Sequence, residues 1–311
     1  MSEYVCVVGG VNIDITGTPA TGLKPNDSNP GKITTSLGGV GRNIAENLSR
    51  MDVKIELITV LGDDSYSVEI KNSCKELNIG LSHSKVIQNE NTSTYLCITD
   101  DNGEMQLAIS DMEVYKYVTP QFLEDRLEII NNSKACVVDT NIPQDSLEYL
   151  MDNCVAPIFL DTVSIKKTEK IKNSIHNIHT LKPNILEAEI LSNIRIESEE
   201  DLEAATRVIL DKGVKRIFVS LGAKGVYFTD GVLHGKLPSI TKDIVNTTGA
   251  GDSFLAAVVW AYLNDFDLEK SAKAGLAASN ICIKSSKTVS TDISVKNIEN
   301  LIINNWRNFN E

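Results

Sequence analysis

The sequence lacks clusters of basic residues and long apolar runs, and each absence excludes a class of function. Its 311 residues carry a formal net charge of −12 at pH 7. A chain without a basic patch does not attract a nucleic-acid backbone or an anionic membrane, so we expect neither as a partner. The longest apolar run, at 254–263, is too short to span a bilayer. The first residues also lack the basic start and the cleavage site of a signal peptide, which favours a cytoplasmic protein.

No CxxC pair occurs among the six cysteines. Cys6, Cys97 and Cys136 lie in apolar, strand-like runs, where a thiol behaves as a small apolar side chain. We interpret the cysteines as structural rather than catalytic or metal-binding. His176 and His179 have a spacing that would place them on one helix face. No nearby cysteine or third histidine completes a zinc site, so we interpret both as surface or packing residues.

Short apolar runs alternate with helix-like segments along most of the chain. Predicted strands cover 4–8, 54–60, 135–139, 157–160, 179–182 and 216–221. Predicted helices cover 42–51, 65–77, 120–131, 144–153, 184–191, 198–212, 250–263, 268–285 and 294–306. This alternation is typical of a mainly parallel sheet with helices on both faces. With no repeat or long linker visible, we predict one α/β domain over 1–311.

Two regions depart from the alternation of strands and helices. Residues 13–37 are rich in Thr, Pro, Gly and Asn, and residues 91–110 alternate apolar and polar side chains on both sides of Asn102-Gly103. An Asn-Gly pair between alternating runs predicts a β-hairpin. We interpret segments of about 13–37 and 91–112 as a small antiparallel flap, a lid over the ligand crevice of an open α/β sheet. A plain edge hairpin is the alternative that the pattern leaves open.

The most informative motif is Thr248-Gly-Ala-Gly-Asp252, directly before the apolar run at 254–263. The run predicts a buried helix that begins near Gly249. A helix start exposes unpaired N–H groups and the positive end of the helix dipole, so residues 249–251 form a candidate phosphate site. Asp252, in the first turn, is a candidate proton acceptor for phosphoryl transfer. An ordinary loop with an acidic helix start is the alternative.

Two more glycine segments stand near the N-terminus. Gly9-Gly10 precede Asn12 and Asp14, whose donors and acceptors suit a vicinal diol, although a simple turn uses the same residues. The segment 38–43, Gly-Gly-Val-Gly-Arg-Asn, lets a ligand press against the backbone and lets Asn43 face that ligand from a helix start. It lacks the third glycine of a dinucleotide fingerprint. No Walker A sequence occurs anywhere in the chain.

Three segments of the C-terminal half each have two interpretations. Asn184 and Glu187 share a face of a predicted helix start, where they can hold magnesium through water or form a capping box. The segment 220–225, Ser-Leu-Gly-Ala-Lys-Gly, can pass along nucleotide phosphates or turn into another strand. A predicted helix at 276–289 can wall a base pocket or only pack.

In this order, the motifs resemble the ribokinase-like (PfkB) family of carbohydrate kinases over essentially the whole chain. The most specific segments are 38–43 and 247–252, supported by 10–14 and 184–187. The resemblance implies a three-layer α/β/α fold with a mainly parallel central sheet and a small β-lid. It also implies an enzyme that uses ATP and Mg²⁺ to phosphorylate a sugar hydroxyl. Segments 39–48, 109–112, 161–164 and 181–184 resemble a branch of the family that acts on a nucleoside.

The resemblance also implies roles for single residues. Asp252 resembles the catalytic base, and Gly249, Ala250 and Gly251 resemble the anion hole. The implied substrate contacts are Asn12, Asp14, Gly39, Asn43, Asp111 and Lys166. The implied contacts to ATP and magnesium are Asn184, Glu187, Ser220, Gly222, Gly225 and Asn280, with Glu187 reaching the metal through water. Pairing of two copies through their lids is implied as well.

One position departs from the family pattern. Asn246 stands where many members have Asp, in a region that helps to bind an activating monovalent cation, so potassium dependence stays open, as does the role of Arg42. The competing functions are a kinase for ribose, adenosine, fructose or a related sugar, and a sugar- or nucleoside-binding sensor without chemistry. A dinucleotide-dependent oxidoreductase is disfavoured by the missing fingerprint.

Overall fold

The computed structural model describes residues 3–240 and 243–306, so 1–2, 241–242 and 307–311 of the predicted domain lie outside the described residues. The strands form a nine-stranded sheet, a four-stranded sheet and a strand pair. In chain order they are β1 (Val5–Val8), β2 (Asn12–Pro19), β3 (Gly31–Gly38), β4 (Ile55–Ile58), β5 (Val60–Gly62), β6 (Ile79–Gly80), β7 (Lys85–Ile87), β8 (Thr94–Thr99), β9 (Met105–Asp111), β10 (Ala135–Asp139), β11 (Ile158–Asp161), β12 (Ile178–Lys182), β13 (Arg216–Ser220), β14 (Val226–Thr229) and β15 (His234–Leu237).

The central sheet has the order β15-β14-β13-β12-β11-β10-β1-β4-β6. All pairs from β13 to β6 are parallel, which confirms the predicted mainly parallel sheet. The antiparallel edge strands β14 and β15 were not among the predicted strands. The predicted strand 54–60 is interrupted at Thr59, whose amide donates to the Ser84 hydroxyl, and β5 then pairs with β7 outside this sheet.

Two apolar cores lie on the two faces of the central sheet. Because side chains alternate along a strand, Val5 and Val7 enter one core while Cys6 and Val8 enter the other. Helices cover both faces, which gives the predicted three layers. They are α1 (Val40–Ser49), α2 (Ser65–Glu76), α3 (Pro120–Glu124), α4 (Leu127–Asn131), α5 (Gln144–Asn153), α6 (Ile165–Thr168), α7 (Ile185–Ser192), α8 (Glu199–Asp211), α9 (Ala250–Leu263), α10 (Leu268–Ile283) and α11 (Val295–Asn305).

Two helix predictions need correction. The segment 120–131 forms α3 and α4 rather than one helix, and at the break the Arg126 guanidinium donates to the carbonyl of Phe122 and to that of His83. The predicted helix 276–289 belongs to α10, which ends at Ile283; the chain then forms a loop. Within 3–240 and 243–306, no helix is both long and apolar enough to cross a membrane.

Helix α9 is buried on nearly all sides and packs against α1 and α10. Gly275 on α10 leaves room for α9, because a Cβ there would lie 2.6 Å from the ring of Phe254. The apolar run predicted a buried helix for this reason, since a helix without a polar face must be covered on every side. The packing fixes the start of α9 at the carboxyl edge of the central sheet.

The four-stranded sheet, which we call the lid, has the order β3-β2-β8-β9. Its outer pairs are antiparallel, but β2 and β8 pair in parallel, so the prediction of an antiparallel flap is wrong for the central pair. Both strands start a hairpin and leave the body of the protein in the same direction. One lid face is polar and includes Asp14, Thr16 and Tyr95. The other face is apolar, with Ile33, Leu107 and Ile109 exposed.

Candidate active site

The glycine turn before α9 has a backbone conformation that requires glycine. Gly249 has φ of +83°, and a Cβ there would lie 2.0 Å from the Thr288 carbonyl oxygen, so only glycine fits. The residue caps α9 without a side-chain hydrogen bond, and of the first amides of the helix, that of Ala250 donates to the Thr247 carbonyl at 3.3 Å. The turn therefore places a helix N-terminus here, and its role as a phosphate site stays a prediction.

Asp252 lies in the first turn of α9 and does not cap the helix. Its Oδ2 accepts a hydrogen bond of 2.8 Å from Asn43 Nδ2 on α1, which is 209 residues away in the sequence. Burial, reinforced by the charge of Asp161, raises the pKa of Asp252 to about 7, against the opposing effects of Asn43 and Lys182. A carboxylate with a pKa near neutrality is suited to accept a proton at physiological pH. An ordinary acidic helix start does not explain this environment.

Three charged residues near Asp252 were not predicted as site residues from the sequence: Asp139, Asp161 and Lys182. Each ends a neighbouring parallel strand, so all three meet at the carboxyl edge of the sheet. Lys182 Nζ lies 3.2 Å from Asp161 Oδ2, and both side chains are more than nine-tenths buried. A charged residue at the end of a buried parallel strand is the signal that could have found them, since ligands bind at that edge.

Asp139 fixes the turn that precedes β2. Its Oδ2 accepts from the Gly10 amide at 2.7 Å and its Oδ1 from the Asn141 amide at 2.8 Å. Burial raises its pKa, while these hydrogen bonds oppose the shift. The Tyr115 hydroxyl also lies 2.6 Å from both the amide and the carbonyl of Val11. The turn is held rigidly, as a substrate-positioning segment requires.

Asn12 and Asp14 project from the base of the lid. Asn12 Nδ2 donates to Asp14 Oδ1 at 2.5 Å, and burial raises the pKa of Asp14. Gly38, opposite Asn12 in the lid register, makes room for the Asp14 carboxylate, which a Cβ would approach to 2.3 Å. Gly39 has φ of +95°, and a Cβ there would lie 2.4 Å from the Gly10 oxygen. The two predicted N-terminal segments thus form one structural unit.

Arg42 is buried next to Asn43. Its guanidinium forms an ion pair with Glu46, which also holds Arg50 at 2.7 Å. One of its N–H groups points to Asn43 Oδ1 at 3.3 Å, so Asn43 keeps its own Nδ2 directed at Asp252. Arg42 thereby supports the orientation of the Asn43 amide, a contact that the sequence left unassigned.

A cavity of about 810 Å³ lies between the polar lid face, α1 and the loops around 246–248 and 286–291. Asp14, Arg42 and Asn246 are among the residues that line it. The Asn246 side chain accepts from the Thr248 amide at 2.9 Å, so it shapes the turn before Gly249. A cavity of this size accommodates a small-molecule ligand.

Asn184 and Glu187 form the capping box that the sequence left as an alternative. Glu187 Oε2 accepts from the Asn184 amide at 2.8 Å and from the Thr162 hydroxyl at 2.6 Å. Asn184 is exposed and pairs with Ser220 in an isolated parallel bridge, which brings two predicted nucleotide segments together. Gly222 and Gly225 follow with positive φ, in a turn that leads into β14. The segment 220–225 therefore forms the turn between two strands that the sequence left open as an alternative.

The remaining predicted residues are placed as follows. Asn280 is buried on α10, where the hydroxyl of the adjacent Ser279 donates to the Ala250 carbonyl at the start of α9. Asp111 is exposed at the end of β9, and its carboxylate accepts from the Glu113 amide at 3.4 Å. Lys166 is exposed on α6. The next residue, Lys167, turns inward and donates to Asn141 Oδ1 beside the Gly10 turn. Lys167 rather than Lys166 thus faces the site.

The histidine and cysteine interpretations agree with the structure in part. His176 pairs with Asp152 at the surface, and His179 packs against Phe159 and Tyr262. The shared helix face does not exist, because His179 lies in β12. All six cysteines are free, and five of them are buried. Across the described residues, no cluster of three or more His, Cys, Asp or Glu side chains could hold a metal ion.

A buried carboxylate in the first turn of a helix that a positive-φ glycine caps, next to charged residues at the ends of parallel strands, suits the chemistry of a phosphotransferase. Residues 2–294 match the model of the pfkB family carbohydrate kinases. The chain belongs to this family, and it is a carbohydrate or nucleoside kinase.

Named relatives agree with this assignment. The pseudouridine kinase of Escherichia coli K12 is 34% identical over 304 residues, with 97% of each chain covered. The uncharacterized sugar kinase YeiI of the same organism is 33% identical over 96% of this chain and 83% of its own. The structure of Arabidopsis thaliana ribokinase complexed with ribose and ATP matches with a TM-score of 0.87 over 97% of this chain and 99% of its own, at 22% identity. That structure supports the fold.

The raised pKa of Asp252 predicts a pH-dependent gain of stability in the variant Asp252→Asn. The native carboxyl keeps its proton up to about pH 7, whereas the unfolded one releases it near pH 3.8. Ionisation therefore opposes folding, and the stability of the wild type falls as the pH rises through this window. We expect Asp252→Asn to have the higher free energy of unfolding at pH 8, with a smaller advantage at pH 5, in denaturant titrations.

The control is Asp265→Asn, at an exposed position with φ of +57° that asparagine tolerates. An advantage of Asp252→Asn that is equal at both pH values, or absent at pH 8, would contradict the assignment of a raised pKa.

Proposed function

We propose that the protein phosphorylates the 5′-hydroxyl of pseudouridine with ATP, giving pseudouridine 5′-phosphate and ADP. The observation that carries the kinase chemistry is the buried Asp252 beside the glycine turn, held by Asn43 at 2.8 Å. The choice of pseudouridine is supported by the identity of 34% to the pseudouridine kinase of Escherichia coli over nearly the full length of both chains.

The proposed reaction is a direct, in-line transfer. The hydroxyl oxygen of the substrate attacks the terminal phosphorus of ATP, and Asp252 accepts the hydroxyl proton as the new bond forms. The amides of residues 249–251 stabilise the charge on the moving phosphoryl group. Such transfers depend mainly on positioning and on electrostatic stabilisation. Closure of the lid would exclude water and limit hydrolysis of ATP.

On the substrate side, Asn12 and Asp14 offer donors and acceptors to the sugar hydroxyls, with Gly39 allowing close approach and Asn43 joining them to Asp252. We assign the inward-facing Lys167, in place of Lys166, to the same side of the site. Burial lowers the pKa of Lys167, and the charge of Asp139 opposes that shift. Asp111, exposed on the lid, could reach the substrate only when the lid closes.

The nucleotide would lie along Ser220, Gly222 and Gly225, with Asn280 beside the adenine. Magnesium, which would neutralise the phosphates, would be held through water by the exposed Asn184 and by Glu187, although Glu187 is buried and its Oε2 already accepts two hydrogen bonds. A requirement for a monovalent cation stays open. The Asn246 side-chain oxygen accepts a hydrogen bond from the Thr248 amide within the turn. The cytoplasm remains the predicted location.

A substrate panel tests the function. Pseudouridine, uridine, adenosine, ribose and fructose are each offered with Mg·ATP, and formation of ADP and of the phosphorylated product is measured. We expect the highest kcat/KM for pseudouridine, with clear discrimination against uridine, which differs in the glycosidic bond and the base edge. Faster phosphorylation of ribose would overturn the choice of substrate. Binding of ATP without product from any acceptor would favour a sensor.

A kinase for another sugar is the second candidate. The specific observation behind it is the uncharacterized sugar kinase YeiI, which is 33% identical to this chain and nearly as similar as the pseudouridine kinase. Because the residues around Asp252 contact only the phosphate and a hydroxyl, they cannot distinguish these substrates. The same panel decides between the two.

The role of Asp252 predicts the turnover of Asp252→Asn. A positioned base contributes about 10²–10⁴-fold to the rate, so we expect kcat to fall at least about a hundredfold. The circular-dichroism spectrum should remain that of the wild type. The surface variant Asp265→Asn serves as the matched control and should keep wild-type turnover. A kcat of Asp252→Asn within a factor of a few of the wild type would remove this residue from the mechanism.

We also propose that two copies pair through the apolar faces of their lids. The lid register aligns Ile33, Ile98 and Leu107 in one row and Leu96 and Ile109 in the next. The exposed members of this face include Ile33, whose exposure is 75%. The rows contain no acidic side chain, so a second copy of this acidic chain can approach without repulsion, and a two-fold axis makes the face complementary to itself.

The variant Leu107→Glu places a charge in the centre of that face. We expect the wild type to be a dimer and Leu107→Glu a monomer in light scattering coupled to size-exclusion chromatography. Leu233→Glu, at a leucine outside the lid with nearly the same exposure (59% against 58% for Leu107), is the control and should leave the dimer intact. A wild-type protein that is monomeric at micromolar concentration would rule out the lid pairing.

A further inference from the structure

A buried lysine lies directly under the glycine turn. Lys182 ends β12, is 7% exposed, and points its ammonium at the start of α9. A Cβ on Gly251 would lie 3.0 Å from Lys182 Nζ and 3.7 Å from its Cε. The ammonium is therefore in contact with the backbone that forms the candidate phosphate site, and a side chain at Gly251 would displace it.

The lysine keeps its charge and retains hydrogen-bonding capacity. Although burial opposes the charge, the carboxylates of Asp161 and Glu187 raise the pKa of Lys182. Its ion-pair partner, Asp161 Oδ2, lies at 3.2 Å but outside hydrogen-bond geometry, and this oxygen is buried without a hydrogen-bond partner in the described structure. An ammonium carries three donors, so the pair with Asp161 leaves Lys182 able to bind a further acceptor.

The surroundings of the ammonium indicate which acceptor this is. Gly251 lies next to it, and Asp252 and Glu187 are close enough for their charges to act on it, while Asn184 caps the helix that carries Glu187. These are the two elements that we propose for the phosphates of ATP. A polyanion that spans both elements must pass the ammonium between them, and a lysine ammonium in a dry site is a strong partner for a phosphate oxygen.

We propose that Lys182 is a further catalytic residue, whose ammonium binds a terminal-phosphate oxygen of ATP beside Gly251 during transfer. The proposal rests on the proposed function. In the step, the hydroxyl oxygen forms its bond to the terminal phosphorus, the bond to the bridging oxygen breaks, the electron pair leaves with ADP, and the proton goes to Asp252. Lys182 neither gains nor loses a proton. Asp161 holds the ammonium in position before ATP arrives.

The alternative is that Lys182 only neutralises buried carboxylates. Asp161, Glu187 and Asp252 all face it, so a purely structural role is reasonable on charge alone. The two roles differ in one consequence. A counter-ion becomes dispensable when its carboxylate is neutralised, whereas a phosphate contact does not.

The experiment compares Lys182→Met, Lys182→Arg and the double variant Lys182→Met/Asp161→Asn with the wild type. Removing one preorganised donor to the transferred group lowers kcat by about 10²–10³-fold, and we expect this loss in Lys182→Met with little change in KM for pseudouridine. The conservative Lys182→Arg should recover part of the activity. The double variant, which removes both charges while nearly keeping the shapes, should fold normally and stay as inactive as Lys182→Met.

Binding gives a second readout that turnover does not influence. Titration calorimetry with the non-hydrolysable analogue AMP-PNP and with ADP separates the terminal phosphate from the rest of the nucleotide. We expect Lys182→Met to weaken AMP-PNP by about tenfold or more, the value of one charged hydrogen bond, and to leave ADP unchanged. Lys273→Met is the control, because Lys273 pairs with Glu269 at 2.8 Å on α10 and is 13% exposed in its side chain.

The outcomes separate this proposal from the proposed function. Wild-type kcat in the double variant, or equal losses for AMP-PNP and ADP, would assign Lys182 to a structural role and overturn the proposal while leaving the kinase in place. If Lys182→Met does not fold, the double variant and Lys182→Arg still decide the question. A wild type that phosphorylates no acceptor would instead remove the proposed function.

Discussion

A hydrogen bond between Asn43 and Asp252 connects the two halves of the site. It joins α1 to α9 across 209 residues of sequence, and it needs two backbone conformations that only glycine adopts easily, at Gly39 and Gly249. The Asn43 amide is supported in turn by Arg42, which Glu46 holds. Without the Asn43 donor, Asp252 would face burial and the charge of Asp161 with less compensation. The position and the proton affinity of the carboxylate thus depend on a contact made far away in the chain.

The parallel sheet explains why so many charges are buried at this place. Its strands end side by side, so Asp139, Asp161 and Lys182 meet although long segments separate them. Buried charge is costly unless it is paired or hydrogen-bonded. Asp139 satisfies this condition through the amides of Gly10 and Asn141, and Asp161 does so only in part. The fold tolerates the unsatisfied group at the one edge where ligands bind in such sheets.

The sequence predicted the parts of the site that depend on local chemistry. Glycines before a helix indicate a special backbone wherever they occur, so the turns at 38–43 and 249–252 were found. Asp161 and Lys182 were not, because each looks like the polar end of an apolar strand until the sheet order places them together. The family resemblance implied Lys166, and the phase of the four-residue helix α6, which turns Lys167 inward instead, cannot be read from its sequence. The parallel pairing of β2 with β8 likewise depends on contacts distant in sequence.

The base of the lid has a mechanical consequence. Asn12 and Gly38 are opposite each other in the first residue pair of the lid, and Asp14 follows two residues further along β2, on the same face as Asn12. If Asn12 and Asp14 meet the sugar as we propose, the ligand contacts are part of the lid itself. Any movement of the lid would carry Asn12 and Asp14 toward or away from Asp252. Binding of the sugar and closure of the site would then occur together. On this model, a ligand without those hydroxyls would not stabilise the closed position of the lid, even if its reactive oxygen were intact.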